Sequence, residues 1–188
     1  MEMQQTRLCE VAEIITGVIE DKSLDGVFRY RCYHPNSFSE GGEISELPII
    51  TRKEVVSERQ LVKEGDVLVK RLNPNFPLLI VEPLGNSVVS SNLFILRGGQ
   101  DIMPIYLAFL FEHPGILAQI TQLSGASSPI KAISAKKLMD LTLPVLPIEK
   151  QKQIGKWWAL GKKRKRILLE YLAENDRLMS AAADKILR

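Results

Sequence analysis

The chain of 188 residues is poor in side chains that do chemistry, with only two histidines and two cysteines. His34 and His113 each precede a proline, a setting typical of a turn or a helix cap rather than of a catalytic base. Neither histidine stands at a metal-ligand spacing from a cysteine or a carboxylate. The glycine-rich loops that hold nucleotides are missing as well. We therefore predict that the protein is not an enzyme and that it binds no cofactor.

Long hydrophobic runs and a basic, apolar N-terminus are also missing. The longest apolar run, Ile105 to Phe111, has seven residues, whereas a membrane span needs about eighteen. The first five residues are polar and acidic, unlike a secretory signal peptide. Cys9 and Cys32 are predicted to be small buried side chains in a reducing compartment. These absences predict a cytoplasmic protein that does not interact with membranes.

Charge is distributed unevenly along the chain, whose net charge is +3. Residues 146–188 hold 11 basic and five acidic side chains, a net charge of +6, which leaves −3 for residues 1–145. Five consecutive basic residues, 162–166, supply most of the C-terminal excess. Two interpretations of this basic run stay open, a solvated helix face and a phosphate-binding patch. Because it follows a break in the apolar seam described below, we expect its side chains to be free rather than part of that seam.

The first 145 residues show short strand patterns followed by short helices. Residues 27–33 alternate, which places Tyr30 and Cys32 on one face of a strand and Arg29 and Arg31 on the other. Further strands are predicted at Val67–Lys70, Leu78–Val81, Ser87–Arg97 and Leu141–Val145, and helices at Ile105–Glu112, Gly115–Leu123 and from an N-cap at Ser134 to Asp140. This order predicts the α+β class, with a mixed, β-rich domain at residues 1–147.

About forty residues without a further proline follow Pro147 and repeat with a helical period. One helix of that size is roughly 60 Å long, which is longer than a small domain is wide. Alternating steps of three and four residues, the heptad spacing of a coiled coil, trace an apolar seam along it. The seam positions are Ile154, Trp158, Gly161, Lys165, Leu168, Leu172, Asn175, Met179, Ala182 and Ile186. We predict that residues 148–188 form one long helix that pairs with another helix.

Three seam positions, Gly161, Lys165 and Asn175, are not apolar. Asn175 fits a residue that fixes the register of a coiled coil, and it fits a plain surface asparagine equally well. Gly161 is predicted to mark a kink or a close approach of another backbone. The predicted contacts with a partner helix are Ile154, Trp158, Leu168, Leu172, Asn175, Met179 and Ile186.

Four blocks of the sequence carry a family resemblance through their order and spacing. The first runs from Leu8 to the Thr-Gly turn at Gly17, and the second from Leu61 to Val69 around a Gly-Asp turn. The third and fourth are Val88–Leu107 and Gly125–Ile154, the latter containing Ile133-Ser134, Leu141-Thr142-Leu143-Pro144-Val145-Leu146-Pro147 and Gln151. Together they resemble the specificity (S) subunits of type I restriction–modification systems. Ile148 departs from that family, which more often has a second consecutive proline there.

The resemblance implies a DNA-reading module without catalysis. In that family a globular target-recognition domain reads part of a bipartite DNA site, and a long helix separates it from a second such domain, usually in the same chain. This chain has one domain, 1–147, and one helix, 148–188, which implies a half-subunit that forms a homodimer through an intermolecular, antiparallel coiled coil. Such a dimer would read a symmetric, interrupted sequence. The implied partners are double-stranded DNA, DNA methyltransferase subunits and a restriction subunit.

Candidate DNA contacts follow from the chemistry of base edges and phosphates. Arginine pairs with guanine, asparagine pairs with adenine, and lysine or arginine binds phosphate. Since the domain carries a net charge of −3, the binding surface must be local. The candidates are Arg29, Arg31, Arg52, Lys53, Lys70, Arg71, Asn73, Asn75 and Lys131.

Two other interpretations remain open from the sequence. The chain fits a coiled-coil adaptor whose acidic domain binds another protein, and it fits a fragment of a longer two-domain chain. An uncharacterised enzyme has the least support, because no nucleophile or acid–base constellation is present.

Overall fold

The computed structural model describes residues 4–19, 26–124 and 132–187. Its described strands are β1 (Gln4–Arg7), β2 (Ala12–Thr16), β3 (Phe28–Tyr33), β4 (Ile49–Arg52), β5 (Val67–Lys70), β6 (Leu78–Leu79), β7 (Ser87–Val89), β8 (Leu93–Gly98) and β9 (Thr142–Val145). The helices are α1 (Leu8–Val11), α2 (Pro104–Leu110), α3 (Pro114–Ser124), α4 (Ala135–Met139) and α5 (Ile148–Ile186), with a 3₁₀ turn at Glu58–Gln60. The predicted α+β class, a β-rich region followed by one long helix, is confirmed.

Three sheets organise the described part of the β-rich region. β2, β8, β5 and β6 form a four-stranded antiparallel sheet in that order. β4, β3 and β7 form a three-stranded sheet, in which β3 runs antiparallel to β4 and parallel to β7. β1 pairs antiparallel with β9, so the first described strand lies beside the strand that leads into α5.

The four-stranded sheet is buried on both faces, because alternate residues of a strand point to opposite sides. In β5, Val67 and Val69 join a core built with helices α2, α3 and α4. Leu68, between them, joins a second core with Tyr33 and Val89 of the three-stranded sheet. β8 divides its side chains in the same way. The domain therefore has three layers: helices, the four-stranded sheet and the three-stranded sheet.

Strand β3 shows the alternation that the sequence predicts. Tyr30 and Cys32 are buried, whereas Arg29 and Arg31 are exposed on the other face. Tyr33 follows Arg31 on that face but is fully buried, since it joins the core that holds Phe38. The exposed face of β3 therefore ends at Arg31.

The predicted strand Ser87–Arg97 is wrong, because the structure divides it into β7 and β8. The backbone N–H of Leu93 donates to the carbonyl of Ser90 at 2.9 Å, which closes a turn at Ser91-Asn92. The two strands then belong to different sheets. The apolar pattern continues on both sides of the turn, so only the polar residues themselves mark the break in the sequence.

The two cysteines lie in different surroundings. Cys32 is buried, as predicted, and Cys9 is exposed, so the prediction was wrong for Cys9. Cys9 lies in the single turn of α1, where Leu8 and Val11 occupy the buried side. Among the described residues, no helix is long and apolar enough to cross a membrane.

A charged pair joins the start of β5 to β8. Asp66 is fully buried and accepts two hydrogen bonds from Arg97, both 2.8 Å long. Arg97 also donates to the backbone carbonyls of Arg59, at 3.1 Å, and Leu61, at 2.9 Å. The hydrogen bonds to Asp66 raise the pKa of Arg97. The planar guanidinium therefore connects the two strands to the segment that precedes the Gly-Asp turn.

Replacing this guanidinium by an ammonium is expected to weaken the fold. Arg97→Lys keeps the charge but cannot form the same four hydrogen bonds, so we expect the free energy of unfolding to fall by about 2 kcal/mol. Urea denaturation followed by circular dichroism measures this change. Arg29→Lys, at an exposed position, is the matched control and should change stability by less than about 0.5 kcal/mol. Equal stability of the two variants would contradict the role given to Arg97.

Candidate nucleic-acid interface

Arg29 and Arg31 form the first group of predicted DNA contacts. They lie on the exposed face of β3, directly opposite Thr51 and Ile49 of β4. With Asn86 nearby, they line a shallow cleft of about 180 Å³. Two guanidinium groups spaced by two residues on one strand face are suited to successive phosphates or to a base edge in a groove.

Arg52 and Lys53 lie at the end of β4, in the same sheet. Lys53 is exposed. Arg52 is only partly exposed and donates a hydrogen bond to the backbone carbonyl of Ile19. Because its guanidinium already bonds to the chain, Arg52 has fewer donors to offer a ligand than Arg29 or Arg31 has.

The second group of predicted contacts lies where β5 ends. The ammonium of Lys70 is 4.8 Å from the centre of the Phe38 ring, and burial lowers the pKa of this lysine. Arg71 is exposed, but its Nη1 donates to the carbonyl of Ser91 at 3.0 Å. No carboxylate pairs with Lys70 among the described residues. Arg71 has no carboxylate partner there either and keeps further N–H donors, so both cations are available to an anion.

The loop that follows, residues 71–77, carries the two predicted asparagines in an unusual backbone. Asn73 and Phe76 have positive φ angles, of 47° and 54°. Such angles disfavour most side chains and hold the intervening residues in a tight bend. Asn73 and Asn75 line a cavity of about 260 Å³ together with Thr121 of α3. The loop therefore presents two amide side chains at the edge of the domain.

The predicted contacts thus fall into two groups. Arg29, Arg31, Arg52 and Lys53 belong to the three-stranded sheet, and Lys70, Arg71, Asn73 and Asn75 belong to the end of β5 and its loop. Lys131 lies outside the described residues.

The root of α5 is fixed on the domain by a buried glutamine. Gln151 is fully buried, and its Oε1 accepts a hydrogen bond from the backbone N–H of Met103 at 2.8 Å. Its Nε2 donates to the carbonyls of Asp101, at 2.9 Å, and Leu146, at 2.7 Å. One side chain therefore satisfies three backbone groups, including one from the strand end just before the helix.

A close helix contact follows one turn later, at Gly155 rather than at Gly161. A Cβ atom on Gly155 would lie 2.5 Å from Cγ2 of Ile105 in α2, so a larger residue would clash. A Cβ on Gly161 would meet nothing within 4 Å, and α5 continues through it. Within the described chain Gly161 interrupts neither the helix nor its packing, and the small residue that intramolecular packing requires is Gly155; an approach of a partner helix at Gly161 stays a prediction.

Two glutamates of the domain hold the next turns of α5. Glu112 accepts hydrogen bonds from Nε1 of Trp158 and from Nζ of Lys162, each 2.7 Å long. Glu40 accepts from Lys162 through its backbone carbonyl and from Lys165 through its carboxylate. Lys162 and Lys165 are therefore not free, which corrects the prediction for the basic run at these two positions. Lys163 and Arg164 are exposed, as predicted.

Beyond Arg166 the described part of α5 is exposed on all sides. Leu168 and Leu172 are 51% and 55% exposed, and Met179 and Ile186 are 65% and 82% exposed. Asn175 is exposed between them. Ile154 and Trp158, in contrast, pack against the core of the same chain, so their contacts in this structure are intramolecular.

Most of the exposed apolar side chains of α5 form one continuous surface, the apolar stripe, whereas Leu169, which is 49% exposed, lies outside it. The stripe contains Trp157, Leu160, Ile167, Leu168, Tyr171, Leu172, Leu178, Met179, Ala182 and Ile186, with Arg164 and Asn175 among them. At roughly 100° per residue, the centre of the stripe lies about 130° around the helix axis from the face that docks on the domain. The predicted heptad seam matches one row of this stripe. The seam included Trp158, whereas the tryptophan that lies on the stripe is Trp157, which is 74% exposed.

The described fold is similar to that of solved type I restriction–modification proteins. A chain from a structure concerned with complex assembly and conformational transition of the type I R-M system matches with a TM-score of 0.71 and 18% identity, over 94% of this chain and 47% of that chain. The HsdS subunit from Thermoanaerobacter tengcongensis matches with a TM-score of 0.66 and 20% identity, over 91% and 45%. The type I S subunit from M. genitalium matches with a TM-score of 0.60 and 12% identity, over 94% and 43%. No protein-family model and no curated protein sequence matches the chain.

These matches show that the chain has the fold found in S subunits, and they confirm the resemblance at the level of the fold. The chain spans less than half of the length of each of these three chains.

Proposed function

We propose that the chain is a sequence-specific DNA-recognition subunit of a type I restriction–modification complex. In this proposal residues 1–147 read one half of a bipartite site, and α5 joins the domain to a second copy of the chain. The observation that carries it is the apolar stripe, which lies on a helix whose other face is already locked to the domain. The fold shared with S subunits supports the same conclusion.

The distribution of charge along α5 supports an antiparallel arrangement of the two copies. Three members of the basic run, Lys163, Arg164 and Arg166, make no ion pair with the described part of the domain, whereas residues 167–187 contain four acidic and two basic side chains. A parallel pair would place the two basic runs side by side, which is unfavourable. An antiparallel pair places each basic run beside the acidic half of the partner helix. Complementary charge and the apolar stripe thus favour the same antiparallel, two-fold dimer.

The width of the apolar stripe supports further partners. Its members span roughly 140° around the helix, which is wider than the narrow seam of a two-stranded coiled coil. A second copy of α5 covers one row, centred on Leu168 and Leu172. The other row, with Ile167, Tyr171 and Leu178, then remains for helices of methyltransferase or restriction subunits. The proposed chain is non-catalytic, and catalysis belongs to those partners.

DNA reading is assigned to the two groups on the domain. Arg29 and Arg31 are suited to guanine or phosphate, Lys70 to phosphate, and Asn73 and Asn75 to adenine. The local placement of these groups agrees with a domain whose net charge is −3. Binding should weaken steeply as salt rises, since phosphate contacts release counterions.

The test of this proposal is selection from a random double-stranded DNA library with the purified protein. We expect enrichment of a symmetric, interrupted sequence in which each half is short. A library from which nothing is enriched would overturn the DNA-reading function. Co-purification with a methyltransferase subunit, without any DNA enrichment, would favour the coiled-coil adaptor instead.

The role of the β3 arginines is tested by salt dependence. Arg29→Gln with Arg31→Gln should reduce the slope of log K against log salt by about 0.9 for each phosphate that the variant no longer neutralises. Fluorescence anisotropy with the selected site, measured over a salt series, gives this slope. Lys136→Gln with Lys137→Gln, two exposed lysines of α4, is the matched control and should leave it unchanged. An unaltered slope and unaltered sequence preference in the arginine variant would remove β3 from the interface.

A further inference from the structure

The contacts of Lys162 and Lys165 join three separate parts of the molecule. The side chain of Lys162 is only 16% exposed, and its Nζ bonds to Glu112, which lies in the segment just after α2. Glu40 accepts hydrogen bonds from both lysines. It lies at the tip of a hairpin that is closed by a β-bridge between Phe38 and Ile44. The helix is therefore held from two sides, by a segment after α2 and by a hairpin that precedes β4.

The same two lysines also contact the loop that carries the asparagines. Their Nζ atoms lie 5.9 Å and 6.0 Å from the centre of the Phe76 ring, within the range of a cation–π interaction. Phe76 is one of the two residues of that loop with a positive φ angle. Phe38 of the hairpin contacts Lys70 in turn. The helix, the hairpin and the candidate reading loop therefore meet at one place, which we name the Glu40–Glu112 junction.

We infer that the Glu40–Glu112 junction determines which separation of DNA half-sites the protein accepts. It holds α5 at one angle to the loop with Asn73 and Asn75, so that the two reading loops of a dimer lie at one distance. Glu40 and Glu112 act as positioning residues and do not themselves contact DNA. This inference rests on the proposed function and adds to it the residues that set the spacing.

A small change of angle at the Glu40–Glu112 junction produces a large displacement of the far end of α5. The part of α5 beyond Lys165 is roughly 30 Å long, so a tilt of roughly 10° at the junction moves its end by about 5 Å. One base-pair step along DNA is about 3.4 Å. A junction that allowed such tilts would accept half-sites separated by one base pair more or less. Selectivity for spacing therefore depends on contacts that restrain this angle.

The test is the variant Glu40→Gln with Glu112→Gln, which keeps side-chain size and removes both charges facing Lys162 and Lys165. Affinity is measured for the selected site and for sites whose spacer is one base pair shorter or longer. We expect affinity for a single half-site to stay within about twofold and the preference for the selected spacer to fall about tenfold. Glu43→Gln with Glu46→Gln is the matched control, because these exposed glutamates make no ion pair with the described part of α5.

A second measurement follows the angle directly and needs no DNA. Spin labels at Lys136→Cys and Ala173→Cys, in a Cys9→Ser background and diluted with unlabelled protein, report the distance from α4 to the free part of α5. The glutamine variant should broaden this distance distribution, and the control should not. A distribution and a spacer profile both equal to those of the wild type would overturn the inference. A wild type that enriches no DNA would overturn the proposed function instead, while the distance measurement still decides whether the junction restrains α5.

Discussion

Three glutamates on the apolar stripe, at Leu168, Leu172 and Met179, are expected to convert the proposed dimer to monomers. These side chains are 51%, 55% and 65% exposed in the single chain, and a second helix would bury them. Two-fold symmetry places every substitution twice in the interface. Because an unpaired carboxylate in an apolar contact is strongly unfavourable, the dissociation constant of the dimer should rise by about 10³-fold or more. Light scattering at micromolar concentration measures the mass, and circular dichroism shows that the domain remains folded.

The matched control carries the same three charges on other faces of the same helix. Ala173→Glu, Ser180→Glu and Ala181→Glu lie outside the apolar stripe and should leave the dimer intact. If the stripe variant keeps its dimer mass, α5 is not the interface. A wild-type protein that is already a monomer at micromolar concentration would exclude the half-subunit arrangement altogether.

The second large effect is expected at the root of α5. Gln151→Ala leaves the N–H of Met103 and the carbonyls of Asp101 and Leu146 without the partner they have in this structure. The three hydrogen bonds are partly buried and each contributes about 1 kcal/mol, so the free energy of unfolding should fall by about 3 kcal/mol. Urea denaturation followed by circular dichroism measures this decrease.

Gln153 supplies the control for that experiment, since it lies on the same helix and is exposed. Gln153→Ala should change the free energy of unfolding by less than about 0.5 kcal/mol. Equal effects of the two substitutions would mean that the hydrogen bonds of Gln151 do not hold the helix root.

Local patterns in the sequence predicted the parts of the fold that depend on neighbouring residues. The alternation in β3 separated Arg29 and Arg31 from Tyr30 and Cys32, because period two follows from strand geometry alone. Ser134 was predicted as an N-cap, and its Oγ accepts a hydrogen bond from the N–H of Lys137 at 3.3 Å. The helical repeat after Pro147 predicted α5.

Contacts between distant residues could not be predicted in this way. The hydrogen bond from Lys162 to Glu112 joins residues 50 positions apart, and the bond from Lys165 to Glu40 joins residues 125 positions apart. Nothing near Glu40 marks it as a partner of a helix, and the basic run is uniform in the sequence. For the same reason Gly161, which interrupts the seam, was a more obvious candidate for close packing than Gly155. The three-dimensional arrangement decides which of these similar residues is used.

The two tryptophans of the chain are adjacent, and they point into different surroundings. Trp157 is 74% exposed on the apolar stripe, whereas the indole N–H of Trp158 is bonded to Glu112. Since the chain contains no other tryptophan, its long-wavelength ultraviolet emission comes from one turn of one helix. Covering the stripe changes the polarity around the first indole, and loosening the helix root changes it around the second. The molecule therefore carries a pair of natural fluorophores that distinguish assembly from undocking without any label.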